Sequence, residues 1–324
     1  MLLDIDRLTV QLPGAARPVL TDVTLRVASG EVVGLVGESG SGKSTTANAA
    51  LRLLPGDATA TGRISVDGTD VLALSGDALR AHRSRTVAMV HQDPRSALNP
   101  VRRVGDFLTE RLRGAGTDPR TARARAVELL GAVGLSEPER RIRQRPHELS
   151  GGMLQRVVIA GALATEPRLL LADEATSALD VTTQAEILAL LRSVRSIGDG
   201  QPPGMLFITH DLQLAAAYCD RVYVMYAGRV VEEGSAGELF ARPRHPYTRG
   251  LLDCSPTLET EIREIRPIPG RPPSLADAFT GCEFASRCPL AEAACETWRP
   301  EPVALDSGGT AACRRLPVTE GSVR

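Results

Sequence analysis

Apolar and polar residues alternate in short runs from Leu2 to Val27, with a break at Pro13-Gly14, and this period of two predicts a small antiparallel sheet. The pattern then changes. Val32-Val33-Gly34-Leu35-Val36 is a short, mostly β-branched apolar run of the kind that fills a buried parallel strand, and helix formers follow from Ser44 to Leu54, closed by Pro55-Gly56. Similar apolar runs recur at Thr86 to Val90, Leu169 to Ala172 and Met205 to Thr209, with helical periodicity between them. Strands alternating with helices imply an α/β fold around a parallel sheet. From about Pro94 to Glu166 there are helical stretches such as Arg120 to Val133 and no strand-like run, which predicts an inserted helical subdomain. Gln184 to Ile197 reads as a helix with Ile187, Leu188, Leu191 and Val194 on one face, ending in a Gly198 to Gly204 loop. Arg221 to Gly234 reads as two strands turning at Ala227-Gly228. Beyond Ala241 proline density rises and periodicity fades, placing a boundary between residues 1–240 and 241–324.

The 38 basic residues nearly cancel the 39 acidic ones, leaving a net charge of -1, so neither a polybasic nucleic-acid binder nor an acidic tail protein fits. Aromatic content of 3% also argues against a stacking platform for single strands. No apolar stretch approaches the roughly 20 residues of a bilayer-spanning helix, and MLLDIDRLTV lacks the positive n-region of a signal peptide. A cytoplasmic chain is expected. One number stands out from this background: of the 38 basic residues only Lys43 is a lysine. A coding bias toward arginine explains the others, whereas a lysine that persists marks a place where the arginine fork does not serve.

Lys43 lies in Gly37-Glu38-Ser39-Gly40-Ser41-Gly42-Lys43-Ser44-Thr45, a G-x-x-x-x-G-K-S run placed after a predicted strand and before a predicted helix. Glycines let backbone N–H groups curl around phosphates, and the helix N-terminus adds its positive end. Lys43 can place a compact ammonium between the β- and γ-phosphates, and Ser44 can offer its hydroxyl to Mg²⁺. A second half follows at Leu169-Leu170-Leu171-Ala172-Asp173-Glu174, an apolar strand ending in two acids. Asp173 can hold Mg²⁺ through water and Glu174 can polarise the attacking water.

Between these elements, Leu149-Ser150-Gly151-Gly152-Met153-Leu154-Gln155-Arg156 resembles the signature motif of ATP-binding cassette (ABC) ATPases. The other landmarks agree in order. Gln92 in His91-Gln92-Asp93-Pro94 resembles the Q-loop, Ser177-Ala178-Leu179-Asp180 the D-loop, and His210 in Thr209-His210-Asp211 the switch histidine. The resemblance implies a RecA-like P-loop core with an antiparallel β subdomain and a helical insert. It implies that Ser150, Gly151, Gly152 and Asp180 complete the nucleotide site of an opposing subunit, that His210 contacts the γ-phosphate, and that Gln92 touches metal or water. Two stretches narrow the branch. Gln92-Asp93-Pro94-Arg95-Ser96-Ala97-Leu98-Asn99-Pro100 and Arg244-His245-Pro246-Tyr247-Thr248-Arg249 resemble elements of the dipeptide and oligopeptide importers, a group that includes nickel importers. The implied role is ATP hydrolysis energising import at the cytoplasmic face of the cell membrane. The implied partners are a second ABC ATPase subunit, two transmembrane permease subunits and an extracytoplasmic substrate-binding protein. A nickel or other small-solute importer is the nearest alternative, and a soluble ABC regulatory ATPase a more distant one. Three places depart from the pattern: no aromatic stands near Leu12 to stack on adenine, Leu154 follows Met153 where Arg is usual, and Ala175 replaces Pro. Read without the family, His245 between prolines is a rigid surface turn.

Cys282, Cys288, Cys295 and Cys313 crowd the end of the chain, apart from Cys219 and Cys254. A tail this short has little core of its own and needs a staple. The spacing lacks a C-x2-C knuckle, which leaves zinc open without favouring it. Gly281-Cys282-Glu283-Phe284-Ala285-Ser286-Arg287-Cys288-Pro289 resembles the Cys-rich tail of dipeptide-importer ATPases, and that resemblance implies a [4Fe-4S] cluster. Zinc and unligated or disulfide-linked cysteines are the alternatives.

Overall fold

A computed structural model describes residues 1–176, 180–193, 202–254 and 267–316. In chain order the strands are β1 (Leu3–Gln11), β2 (Leu20–Val27), β3 (Val32–Val36), β4 (Thr59–Val66), β5 (Thr69–Asp70), β6 (Val87–Val90), β7 (Leu169–Asp173), β8 (Gly204–Thr209), β9 (Arg221–Tyr226), β10 (Arg229–Ser235), β11 (Val303–Ala304) and β12 (Thr310–Ala311). The helices are α1 (Lys43–Ala50), α2 (Gly76–Ala81), α3 (Pro94–Ala97), α4 (Val104–Gly114), α5 (Pro119–Ala132), α6 (Pro138–Arg141), α7 (Gly151–Leu163), α8 (Val181–Ser193), α9 (Leu212–Tyr218), α10 (Ala236–Ala241) and α11 (Pro246–Asp253). Two compact units emerge, one of residues 1–3, 27–31 and 65–206, the other of 4–26, 32–64 and 207–324. The second will be called the phosphate-loop unit and the first the helical unit.

In the phosphate-loop unit, β1 and β2 pair in opposite directions, as the contacts of Val19 with Val10, Asp22 with Thr9 and Arg7 with Thr24 show. The expected alternation holds with a slip. Leu3 and Ile5 are buried, then Leu8 and Val10, because Arg7 takes a left-handed φ of 48° and shifts the phase by one residue. Asp22, at φ 49°, does the same on β2. β3 is buried along its whole length and pairs in parallel with β9, Val33 opposite Arg221 and Val36 opposite Val224. β9 and β10 form the expected hairpin, turning through Ala227 at φ 50° and Gly228 at φ 86°.

The C-terminal segment joins this sheet. β12 pairs antiparallel with β10, Glu232 opposite Ala311, and β11 pairs antiparallel with β12. The tail therefore extends the cassette's own sheet. A bulge between Val230 and Glu232 turns two successive side chains inward, so Val231 and Glu232 are both buried. Glu232 then accepts the backbone N–H groups of Arg244 (2.7 Å) and His245 (2.9 Å). His245 is not on a surface turn. It is 2% exposed, its Nδ1 accepts the N–H of Tyr247 at the start of α11, and burial pushes its pKa down to about 3.

In the helical unit, α3 to α7 follow one another between β6 and β7. β6 and β7 pair in parallel, Val87 opposite Leu169 through Val90 opposite Ala172. Asp118 caps α5, accepting from Arg120 and Thr121, with Pro119 at the first turn. α7 is apolar on nearly every side and buries Val157, Val158, Ile159 and Leu163. At Gly161 it passes so close to α4 that an added Cβ would stand 2.4 Å from the Phe107 ring. α8 starts three residues before the expected Gln184 and buries Ile187, Leu190 and Leu191, with Leu190 rather than Leu188 on the inner face. Val194 to Ile197 lie outside the described residues. Among the described residues no helix is long and apolar enough to cross a membrane.

Replacing Glu232 by Ala strands two buried N–H donors, each worth about 1–3 kcal/mol, and the thermal midpoint should fall by roughly 5–10 °C. Glu232→Gln, which keeps one acceptor, should lose about half as much in the same melt.

Candidate functional site

The phosphate loop begins where β3 ends. Gly37 sits at φ 153°, and a Cβ there would lie 2.2 Å from the carbonyl oxygen of Met225 on β9. Only glycine lets the loop pass so close to the neighbouring strand. Gly40 and Gly42 take φ 79° and 105°, and Gly42 is the N-cap of α1 with no side chain capping it and no acid in the first turn. That leaves the first turn of α1 without a side-chain cap, the arrangement in which a helix start takes an anion. Lys43 is buried, and its Nζ donates to the carbonyl oxygens of Gly37 (2.8 Å) and Glu38 (2.9 Å), so the ammonium lies folded across its own loop. Thr46 Oγ1 donates back to Gly42 (3.0 Å), and Gly228 N–H donates to Ser41 O (2.9 Å). Ser41 is 4% exposed and its hydroxyl has no partner among the described residues, an orphaned polar atom inside a loop built for phosphate. Ser39, Gly40 and Ser44 are exposed and Thr45 half-buried. The loop therefore fits ATP, and Ser44 stands where a hydroxyl can reach a phosphate-bound Mg²⁺.

The same unit holds His210 just after β8, exposed to solvent, with the following Asp211 capping α9 through Leu214 N–H. The loop after Leu12 is met by the C-terminal segment, Ala16 N–H donating to Leu275 O at 3.1 Å. Arg17, 9% exposed, donates to Ala227 O at 2.8 Å and lies 5.5 Å from the Phe279 ring.

In the helical unit the parallel register of β6 and β7 places Val90 beside Ala172, and two residues further along each strand Gln92 Nε2 donates to Glu174 Oε2 at 2.8 Å. The predicted Q-loop glutamine and predicted base are thus brought together. Glu174 sits at φ 46°, a left-handed turn that a non-glycine residue seldom takes, directly after Asp173. Ser150 caps α7 by accepting from Met153, leaving the Gly151 and Gly152 backbone at a helix start. Asp180 accepts both the N–H (3.0 Å) and the hydroxyl (2.7 Å) of Thr183, and these bonds hold its carboxyl below the usual range. Thr183 in turn packs on Gly152, where a Cβ would meet its methyl group at 2.7 Å. Asp180 and the signature glycines are thereby tied through one threonine. Ser177, Ala178 and Leu179 lie outside the described residues.

Cys282, Cys288, Cys295 and Cys313 are all unpaired and line one cavity with His245, Phe284 and Trp298. Burial raises the Cys282 thiol to about 11 and raises Cys288 and Cys313 as well, so these are neutral thiols when nothing binds them. Among the described residues, no three His, Cys, Asp or Glu side chains stand close enough together to hold a single metal ion. Cys219 is buried and packs against Gly34 of β3.

Two contacts at the loop were not anticipated from the motifs. Tyr247, in the His-Pro-Tyr-Thr stretch, accepts the backbone N–H of Glu38 at 2.9 Å, and Arg287, between two of the cysteines, grips the Glu38 carboxylate. The conspicuous His-Pro-Tyr-Thr run was the one signal for the first; nothing marks the second.

Comparison with known proteins agrees with this geometry. The ABC transporter family matches residues 20–177, and the family described as the C-terminal region of oligopeptide/dipeptide transporters matches 231–295. The oligopeptide transport ATP-binding protein OppD of Mycobacterium tuberculosis is 46% identical over 99% of this chain, which spans only 53% of that protein. "Probable D,D-dipeptide transport ATP-binding protein DdpD" of Escherichia coli is 43% identical over 96% of both chains. Among solved structures, the post-hydrolysis dimer of the ATP-binding cassette MJ0796 bound to ADP and Pi matches 72% of this chain and 98% of its own with a TM-score of 0.62 at 30% identity. A phosphate loop, a strand-end acid pair met by glutamine and a peptide-transporter C-terminal region thus occur in one chain, which belongs to the ABC transporter ATP-binding proteins of the oligopeptide/dipeptide type.

Proposed function

We propose that the chain is the ATP-hydrolysing subunit of an importer of short peptides, with residues 1–240 as the ATPase cassette and 241–324 as an importer-type extension. The observation that carries it is the phosphate loop, with uncapped N–H donors, a folded-in ammonium and an orphaned Ser41 hydroxyl. In this reading the backbone of Gly37, Ser39, Gly40, Ser41, Gly42, Lys43, Ser44 and Thr45 wraps the phosphates, and Lys43 moves from its carbonyl partners to the β/γ oxygens. Ser44, Gln92 and, through water, Asp173 would hold Mg²⁺. Glu174 polarises the attacking water, and its hydrogen bond with Gln92 supports this role because it orients the carboxylate before water arrives. His210 contacts the γ-phosphate. Ser150, Gly151, Gly152 and Asp180 serve the nucleotide of an opposing ATPase, and the dimeric state of the MJ0796 cassette supports such pairing. The partners are a second ABC ATPase, two permeases and an extracytoplasmic binding protein, with no nucleic acid, and the site of action is the cytoplasmic face of the membrane.

The four thiols hold a [4Fe-4S] cluster in the same reading. Thiols on a single zinc lie roughly 3.8 Å apart, as tetrahedral Zn–S bonds require, whereas a cluster spreads its ligands wider. The observation behind this reading is that the four cysteines, none in a disulfide, line one cavity. A bound cluster would supply redox chemistry or a cross-link; Cys282, Cys288, Cys295 and Cys313 would fix it.

Glu174→Gln should bind ATP as tightly as the parent, slow hydrolysis by about 100-fold or more and accumulate an ATP-bound dimer on gel filtration. Parental turnover would remove Glu174 from the role of base. Anaerobic purification should yield brown protein carrying equal iron and acid-labile sulfide, lost in Cys288→Ser. Colourless protein with stoichiometric zinc would overturn the cluster.

A further inference from the structure

Glu38, the residue after Gly37, is fixed at three points. Its N–H donates to the Tyr247 hydroxyl (2.9 Å), its carbonyl accepts Lys43 Nζ (2.9 Å), and its two carboxylate oxygens accept from Arg287 Nη1 (2.7 Å) and Nη2 (2.9 Å). The first and third of these anchors come from the C-terminal segment, Tyr247 on α11 and Arg287 in the four-cysteine element. The Arg287 side chain is 4% exposed and that of Glu38 23%, so this fork is largely shielded from water, and the remaining Nε of Arg287 donates to Pro269 O at 2.8 Å. A largely desolvated, bidentate pair has strict geometry and leaves a stranded charge if either partner goes. Beneath it Tyr226, Tyr247 and Phe284 pack ring against ring, with centroids 4.6, 5.2 and 5.3 Å apart. Tyr247 is fully buried and Arg287 also reaches the Tyr226 hydroxyl at 3.4 Å. The loop that must wrap phosphate is therefore clamped by residues well over a hundred positions away.

We propose that Arg287 and Tyr247 are positioning residues for ATP binding, acting through Glu38 to hold the phosphate loop in its nucleotide-ready form. This rests on the reading of residues 37–45 as the ATP site. Because the clamp shapes the loop before nucleotide arrives, it sets affinity rather than the chemical step. Arg287 adjoins Cys288, so the conformation of the four-cysteine element is felt at the phosphates.

The test is a double-mutant cycle on the full chain, reading Mg·ATP affinity by equilibrium titration and folding by melts without nucleotide. Arg287→Lys, which keeps charge but loses the fork, and Tyr247→Phe, which deletes one hydroxyl, should each weaken ATP binding by about 5–20-fold, the loss of one or two preorganising bonds. Their kcat in the assembled transporter should change by less than about threefold while KM rises. Glu38→Gln should weaken binding similarly, and adding Arg287→Gln to it should cost less than about twofold more. Unchanged affinity in folded Tyr247→Phe and Arg287→Lys, or full additivity in the Glu38→Gln background, would overturn the proposal. Lys43→Ala is the separate control. If it binds ATP normally, the assignment of the loop itself fails rather than the clamp.

Discussion

Everything in the phosphate-loop unit answers to one constraint: several backbone N–H groups must face a single anion while the chain reverses between a strand and a helix. Such a turn costs conformational freedom and leaves carbonyls crowded on its other side. Glycine solves the first part, and at Gly37 the approach to the Met225 carbonyl admits no Cβ at all. Lys43 solves the second by laying its ammonium on the Gly37 and Glu38 carbonyls. The resting loop is therefore shaped by attractions its ligand can take over, since the ammonium can trade two carbonyls for phosphate oxygens.

The helical unit meets a different requirement by a simpler device. Two polar side chains from distant parts of the chain must meet, and a parallel strand pair in fixed register delivers Gln92 and Glu174 side by side although 82 positions separate them. The left-handed turn at Glu174 then aims its carboxylate off the strand end. Asp180 extends the same logic to the signature helix, binding Thr183 twice so that its methyl group seats on Gly152.

How much of this could be read from the chain depends on the range of the interaction. Residues 37–45 were legible because strand, turn and helix are contiguous and the residue types are dictated locally. The helices of the insert and the Ala227-Gly228 hairpin were legible for the same reason. Glu232 was not, because its burial comes from a bulge that shifts the inside–outside alternation by one residue. His245 reads as a surface residue because proline neighbours look like a turn, whereas inside the protein its backbone N–H donates to Glu232 and its ring Nδ1 accepts the N–H of Tyr247. The two-residue β12 is too short to carry a periodic signal, and only its partner β10 gives it a structure. Most hidden of all is Arg287, 249 positions from the carboxylate it grips.

Arg287 also gives the composition its meaning. In a chain where 38 basic residues include a single lysine, both kinds of cation meet on one residue of one loop, Lys43 at the carbonyl of Glu38 and Arg287 at its carboxylate. The carboxylate offers two parallel oxygens, which match a planar guanidinium that stays charged when buried. The carbonyls offer isolated lone pairs, and the phosphate that replaces them needs a compact charge able to swing between partners. An arginine at 43 would carry a rigid fork into a space bounded by backbone, and a lysine at 287 would leave one carboxylate oxygen without a donor. The two positions call for opposite answers to the same charge, which is why a bias toward arginine could run through the whole chain and stop at Lys43.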